Sequence, residues 1–98
     1  MVFANKEEKG VMVTKKMTIE LKTGLEARPV AVFVQVASQF DSSIYVEYDN
    51  KKVNAKSIMG MMTLGLASGE NVTVSAEGAD EIAAIESIEK YLSSKVSA

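Results

Sequence analysis

The sequence predicts an α+β fold, an open-faced sandwich in which a four-stranded antiparallel sheet carries its helices on one face. Three observations predict it. Met17, Ile19 and Leu21 alternate with Thr18, Glu20 and Lys22, the period of a half-buried strand. Val30, Phe33, Val34, Ala37 and Phe40 recur at helical spacing from Pro29 onward, and proline suits a first helical turn. Ile82, Ile85, Ile88 and Leu92 form a second helical stripe behind Asp80.

The remaining elements fall between these. Residues 1–11 include the polar, non-periodic run Asn5 to Gly10 and read as a flexible leader to a single domain over 12–98. The codons for Glu7 to Gly10 are necessarily purine-rich, as ribosome-binding sites are, so Met12 is a second candidate for the start. Thr23-Gly24 ends the first strand. The stretch from Pro29 to Phe40 also alternates at Val30, Val32, Val34 and Val36, but a strand there would turn Phe33 and Ala37 to the polar side. Helix is the better reading. Ile44, Val46 and Tyr48 alternate next, and Asp49-Asn50 reads as a hairpin turn into Lys51 to Asn54. Ser57 to about Leu66 reads as a short, methionine-rich helix, stopped at Ser68-Gly69. Val72, Val74 and Ala76 mark the last strand. Asp80 is placed to cap the final helix, with Glu86 four residues before Lys90 for support. The order is βαββαβα.

Composition narrows the function. Ninety-eight residues make one ordinary domain, and the net charge of −2 offers no basic face for nucleic acid or an anionic bilayer. There is no cysteine and no histidine, so a disulfide framework, a thiolate metal site and the commonest general base are all absent. Nothing pairs a nucleophile with a base, and no metal or cofactor fingerprint occurs. No apolar run reaches membrane-spanning length and no signal-peptide pattern is present. The chain reads as a cytoplasmic binding protein rather than an enzyme.

Two motifs carry chemistry. Gly24-Leu25-Glu26-Ala27-Arg28-Pro29 lies between a strand and a helix start, where free N–H groups and the dipole favour an anion. Arg28 adds a planar, bidentate donor suited to phosphate or carboxylate. Taken alone, the six residues better fit a helix capped by Glu26 beside a solvated arginine. The second motif is Lys56-Ser57-Ile58-Met59-Gly60-Met61-Met62. Ser57 stands at a helix cap, which is also a favourable place for a phosphoryl group. Ile58, Met59 and Met62 cannot all turn inward on so short a helix and so suggest a partner-binding patch, whereas Met61 suits the core.

Together the motifs resemble the HPr family of phosphocarrier proteins of the bacterial sugar phosphotransferase system, from about Met12 to Ser94. The marks are Gly24-Leu25-x-Ala27-Arg28-Pro29, Lys52 to Gly60, Met62-Thr63-Leu64 and Gly69. The resemblance implies the same βαββαβα sandwich. It also implies that Glu26 stands where the family carries the histidine that accepts phosphate from enzyme I. A carboxylate lacks that nitrogen, so phosphotransfer should be lost, and the chain is similar to the catabolite-repression (Crh) branch found in Gram-positive bacteria.

The resemblance further implies that Ser57 is phosphorylated by HPr kinase/phosphorylase, after which the protein acts as corepressor for a LacI-type catabolite-control transcription factor. Arg28, Ile58, Met59 and Met62 match partner-interface positions, with Arg28 expected beside Ser57. Glu26 has three readings: a tolerated replacement, an imitation of phosphohistidine, or a change made by design. The first weighs most, because one carboxylate has less charge and fewer oxygens than a phosphate. The alternative function is a phosphocarrier component of the phosphotransferase system that still carries phosphate, with Glu26 as the candidate carrier, and a third is an HPr-like domain whose Ser57 is only a cap. No cofactor or metal is implied. A monomer and a homodimer that exchanges the first strand are both open.

Overall fold

The computed structural model describes residues 12–22, 25 and 27–94. The expected leader, residues 1–11, lies outside them, as does Glu26. The elements are β1 (Val13–Thr18), α1 (Ala27–Ser38), β2 (Ser43–Tyr48), β3 (Lys51–Asn54), α2 (Ile58–Met62), β4 (Asn71–Glu77) and α3 (Glu81–Leu92). The strands form one antiparallel sheet in the order β1-β4-β2-β3. This is the βαββαβα open-faced sandwich that the alternations and stripes predict.

Each strand sends alternate residues to one side, so burial follows the period of two. Met17, Ile44, Val46, Val72, Val74 and Ala76 point into the core beneath the helices. From α1 come Val30, Phe33, Val34 and Ala37, and from α3 Ala84, Ile85, Ile88 and Leu92. The other face of the sheet is polar and exposed, with Lys52 set over the Tyr45 ring at 5.2 Å from its centroid. Among the described residues no helix is long and apolar enough to cross a membrane.

Four boundaries or roles differ from the sequence reading, each for a physical reason. The first strand pairs with β4 from Val13, earlier than the clear alternation, because Lys15 on its inward side is held at the sheet edge. The Lys15 ammonium meets the Glu89 carboxylate of α3 at 2.7 Å, so this charge costs little there. Past Thr18 the chain peels off: Ile19 still bonds Glu70 and Gly69, but the Glu20 amide turns to the Leu92 carbonyl at 2.8 Å, closing the end of α3.

The methionine-rich helix is shorter than expected, ending at Met62 rather than near Leu66. The Thr63 hydroxyl donates to the Gly60 carbonyl at 2.6 Å, and Gly65 adopts a left-handed φ of 57° that stops the helix. Leaving the helix lets both Leu64 and Leu66 reach the core.

Ile82 is 62% exposed and stands outside the α3 stripe, whose first buried apolar member is Ala84. Asp80 sits at the N-cap of α3 yet makes no side-chain cap bond. Its carboxylate instead accepts from the amides of Asp41, at 2.9 Å, and Ser42, at 3.0 Å, and from the Ser42 hydroxyl. The Ser42 bond, more than any other contact, holds this carboxyl below its usual range. Glu81 takes over at the helix start, accepting from the Gly78 amide at 3.0 Å.

The Asp49-Asn50 turn is as expected. Both residues have positive φ, 52° and 67°, the type I′ geometry that matches the twist of a two-residue hairpin.

Candidate functional site

The connection from β3 to α2 is fixed residue by residue. The Ala55 amide donates to the Ile44 carbonyl at 2.9 Å, burying Ala55. The Lys56 amide donates to the Asn54 side chain at 2.8 Å, and the Ser57 amide to the Asn54 carbonyl at 3.0 Å. Ser57 stays in the extended region, with φ −107° and ψ 114°, and its Oγ accepts from the Gly60 amide at 3.0 Å. That is the N-cap geometry expected of it. Gly60 has a steric role as well, since a Cβ there would lie 3.2 Å from Ser57 Oγ and 3.4 Å from Val53 Cβ.

Directly behind the cap, α2 divides its side chains. Met61 is fully buried, as the sequence suggests for it. Ile58 and Met62 are each 48% exposed and Met59 is 81% exposed. A serine hydroxyl is therefore followed at once by three apolar side chains open to solvent, a small patch that a partner could cover.

Arg28 is exposed in the first turn of α1. Two contacts fix how α1 lies against α2. At the start of α1 the Leu25 amide donates to the Leu66 carbonyl at 2.9 Å. Beyond its end the Lys56 ammonium donates to the Phe40 carbonyl at 2.6 Å. The two helices thus run antiparallel. Ser57 follows Lys56 and so stands near the end of α1. Both motifs thus belong to one helical surface, Arg28 in the first turn of α1 and Ser57 at the start of α2.

The first turn of α1 is braced from behind. Tyr91 of α3 donates its hydroxyl to the Pro29 carbonyl at 3.2 Å, and burial pushes the Tyr91 phenol up from its usual pKa. The sequence reading missed Tyr91 as part of this surface, and placed Lys56 in the second motif without foreseeing its bond to Phe40. The partners of Tyr91 lie 62 residues away, beyond any local pattern. Lys56 carried a readable signal, a lysine directly before a capping serine. Among the described residues no group of acidic side chains is placed to hold a metal ion. A groove of about 440 Å³ near Met12, Tyr45 and Lys52 lies on the opposite face of the sheet from this surface.

Comparison with known proteins gives one answer. The family model described as the PTS HPr component phosphorylation site matches residues 13–94. The HPr-like protein Crh of Bacillus subtilis (strain 168) is 51% identical over 85 residues, covering 87% of this chain and all of that one. Among solved structures, HPr-C-His from Thermoanaerobacter tengcongensis superposes with a TM-score of 0.81 at 55% identity, covering 85% of this chain and 93% of that chain. The crystal structure of Bacillus subtilis Crh, reported as a dimer with a swapping domain, matches with a TM-score of 0.69 at 45% identity over 98% of each chain. A family model that spans residues 13–94 and a relative half identical over its whole length agree with the sandwich fold: the chain belongs to the HPr family.

Proposed function

We propose that the protein is a regulatory member of the HPr family that works in carbon catabolite repression and not as a phosphohistidine carrier. The observation that carries this reading is the absence of histidine anywhere in the chain, with Glu26 at the position of the family's phosphorylated residue. No imidazole is available to take phosphate from enzyme I. Similarity to Crh, a catabolite-repression protein, supports the same assignment.

In this reading Ser57 Oγ receives the γ-phosphoryl group of ATP from HPr kinase/phosphorylase and gives up its proton. The new dianion lies beside the exposed Ile58, Met59 and Met62, so one surface joins charge to apolar area. A LacI-type catabolite-control transcription factor would recognise both, with Arg28 on the same helical surface. The protein then works in the cytoplasm as a corepressor, binding neither nucleic acid nor membrane itself. Its state is a monomer or a homodimer that exchanges β1, which size-exclusion chromatography across concentrations distinguishes.

The test is incubation with the kinase and ATP, for the natural protein and for Ser57→Ala. Uptake of one phosphate by the natural protein alone supports the reading. No uptake, or equal uptake by the alanine variant, defeats it. The family model's description favours a second reading, phosphocarrier activity. Incubation with phosphoenolpyruvate and enzyme I tests that one, and a hydroxylamine-labile phosphate on Glu26 would establish it.

A further inference from the structure

The contact between Lys56 and Phe40 joins the Ser57 segment to the end of α1, and its chemistry makes it sensitive to charge at Ser57. The Lys56 ammonium donates to the Phe40 carbonyl at 2.6 Å. That carbonyl follows the C-terminus of α1, where the helix dipole presents its negative end and favours a cation. The same stretch is weakly tied to the helix itself, because the Gln39 and Phe40 amides reach the Val36 and Ala37 carbonyls only at 3.3 Å. Immediately afterwards, Asp80 holds the amides of Asp41 and Ser42. Residues 39–42 are therefore clamped from two sides, by a fixed carboxylate and by one lysine.

We infer that Lys56 is a phosphate-operated clasp: it holds the end of α1 while Ser57 is unmodified and transfers to the phosphoryl group once Ser57 is phosphorylated. The inference rests on Ser57 being the modified residue. Its physical basis is a competition between two acceptors for one ammonium. The carbonyl of Phe40 is a neutral dipole, whereas a phosphoserine at the neighbouring residue carries nearly two charges and three strong acceptor oxygens. A lysine stem has four rotatable carbons, so its ammonium serves either acceptor without moving the backbone. The backbone at residues 55–57 is indeed pinned by its own hydrogen bonds. Departure of Lys56 leaves residues 39–40 tied to the end of α1 by long bonds alone. Asp80 keeps the loop beyond it in place, which confines the change to α1. Phosphorylation near the end of α1 is thereby reported to the helix that carries Arg28 in its first turn.

The test installs phosphoserine at position 57 during translation by an expanded genetic code, so it needs no kinase. Amide hydrogen exchange of Gln39 and Phe40 is read by NMR. A lost charge-assisted bond predicts roughly tenfold faster exchange at both amides in the phosphoserine protein. Lys56→Gln should show the faster exchange without phosphate, and phosphoserine should add nothing further in that background. Lys56→Arg, which keeps the cation, should respond as the natural protein does and guards against a simple folding defect. Unchanged exchange in the phosphoserine protein overturns the clasp, as does an equal response with and without Lys56. The second result would point to another cation, Arg28 included, as the phosphate's partner. If the kinase fails on the natural protein while installed phosphoserine still speeds exchange, the clasp stands and the assignment of the modifying enzyme falls.

Discussion

Asp80 and Ser42 are joined twice, through the Ser42 amide at 3.0 Å and through its hydroxyl, although 38 residues separate them. The bond ties the turn before α3 to the turn after α1. Its effect on stability has a defined sign. Hydrogen bonds to the charged carboxylate lower its pKa in the folded protein. Stabilisation from this group is therefore fully present above the unfolded carboxylate pKa, about 4, and is lost as pH falls through that value and on through the lower folded one. Asp80→Asn should be less stable than the natural protein at pH 7, and the gap should close in acid. Urea midpoints measured from about pH 7 down to pH 2 check this, and a gap independent of pH would contradict it.

Gly78 makes room for that same junction. A Cβ on Gly78 would stand 2.7 Å from both the Cα and the Oγ of Ser42, and backbone cannot step aside as a flexible side chain does. Gly78→Ala should destabilise the fold by about 1–3 kcal/mol. Thermal or urea denaturation gives the value.

Two isoleucines of α3 separate core from surface. Ile88 is fully buried, and Ile88→Ala should cost about 2–5 kcal/mol. Ile82 is mostly exposed, and Ile82→Ala should stay within about 0.5 kcal/mol of the natural protein. Parallel urea titrations of the two variants provide the comparison.

Ser57 is expected to do two separable things. Ser57→Ala loses the cap on Gly60 and should lower stability by about 1 kcal/mol. The same variant should take no phosphate from the kinase. Ser57→Asn restores a capping oxygen and most of the stability while remaining unphosphorylated, which mass spectrometry and a melting curve together reveal.

Met59 contributes little to the fold and more to recognition. With 81% of its surface exposed, Met59→Ser should change stability by less than about 0.5 kcal/mol. Binding of the Ser57-phosphorylated protein to the transcription factor should weaken by about 1–2 kcal/mol, or roughly tenfold. Calorimetric titration measures it.

Much of this architecture was legible because local periodicity carries it. The alternation in β2 and β4 and the stripe on α1 each repeat within a few residues, and burial follows them residue by residue. Asp49-Asn50 was equally legible, since two positive φ angles call for those residue types. Ser57 and the Met59 patch could be placed because a cap and an overcrowded short helix are local facts. What was hidden depends on contacts between distant segments. Asp80 looks like a cap until Ser42 arrives to claim it, and Lys15 looks wrong for an inward position until Glu89 meets it. The antiparallel setting of α1 on α2 follows from the Leu25–Leu66 and Lys56–Phe40 contacts, whose partners Leu66 and Phe40 lie outside either motif.

The strand order has a consequence for how the chain is made. β4 lies between β1 and β2, so β1, synthesised early, has its only partner more than fifty residues downstream. During synthesis on the ribosome the β2–β3 hairpin can close at once, but Val13–Thr18 must wait until Asn71–Ala76 has emerged. Sheet completion is thus a late, long-loop event. Slowing synthesis therefore lengthens the time for which β1 stands unpaired.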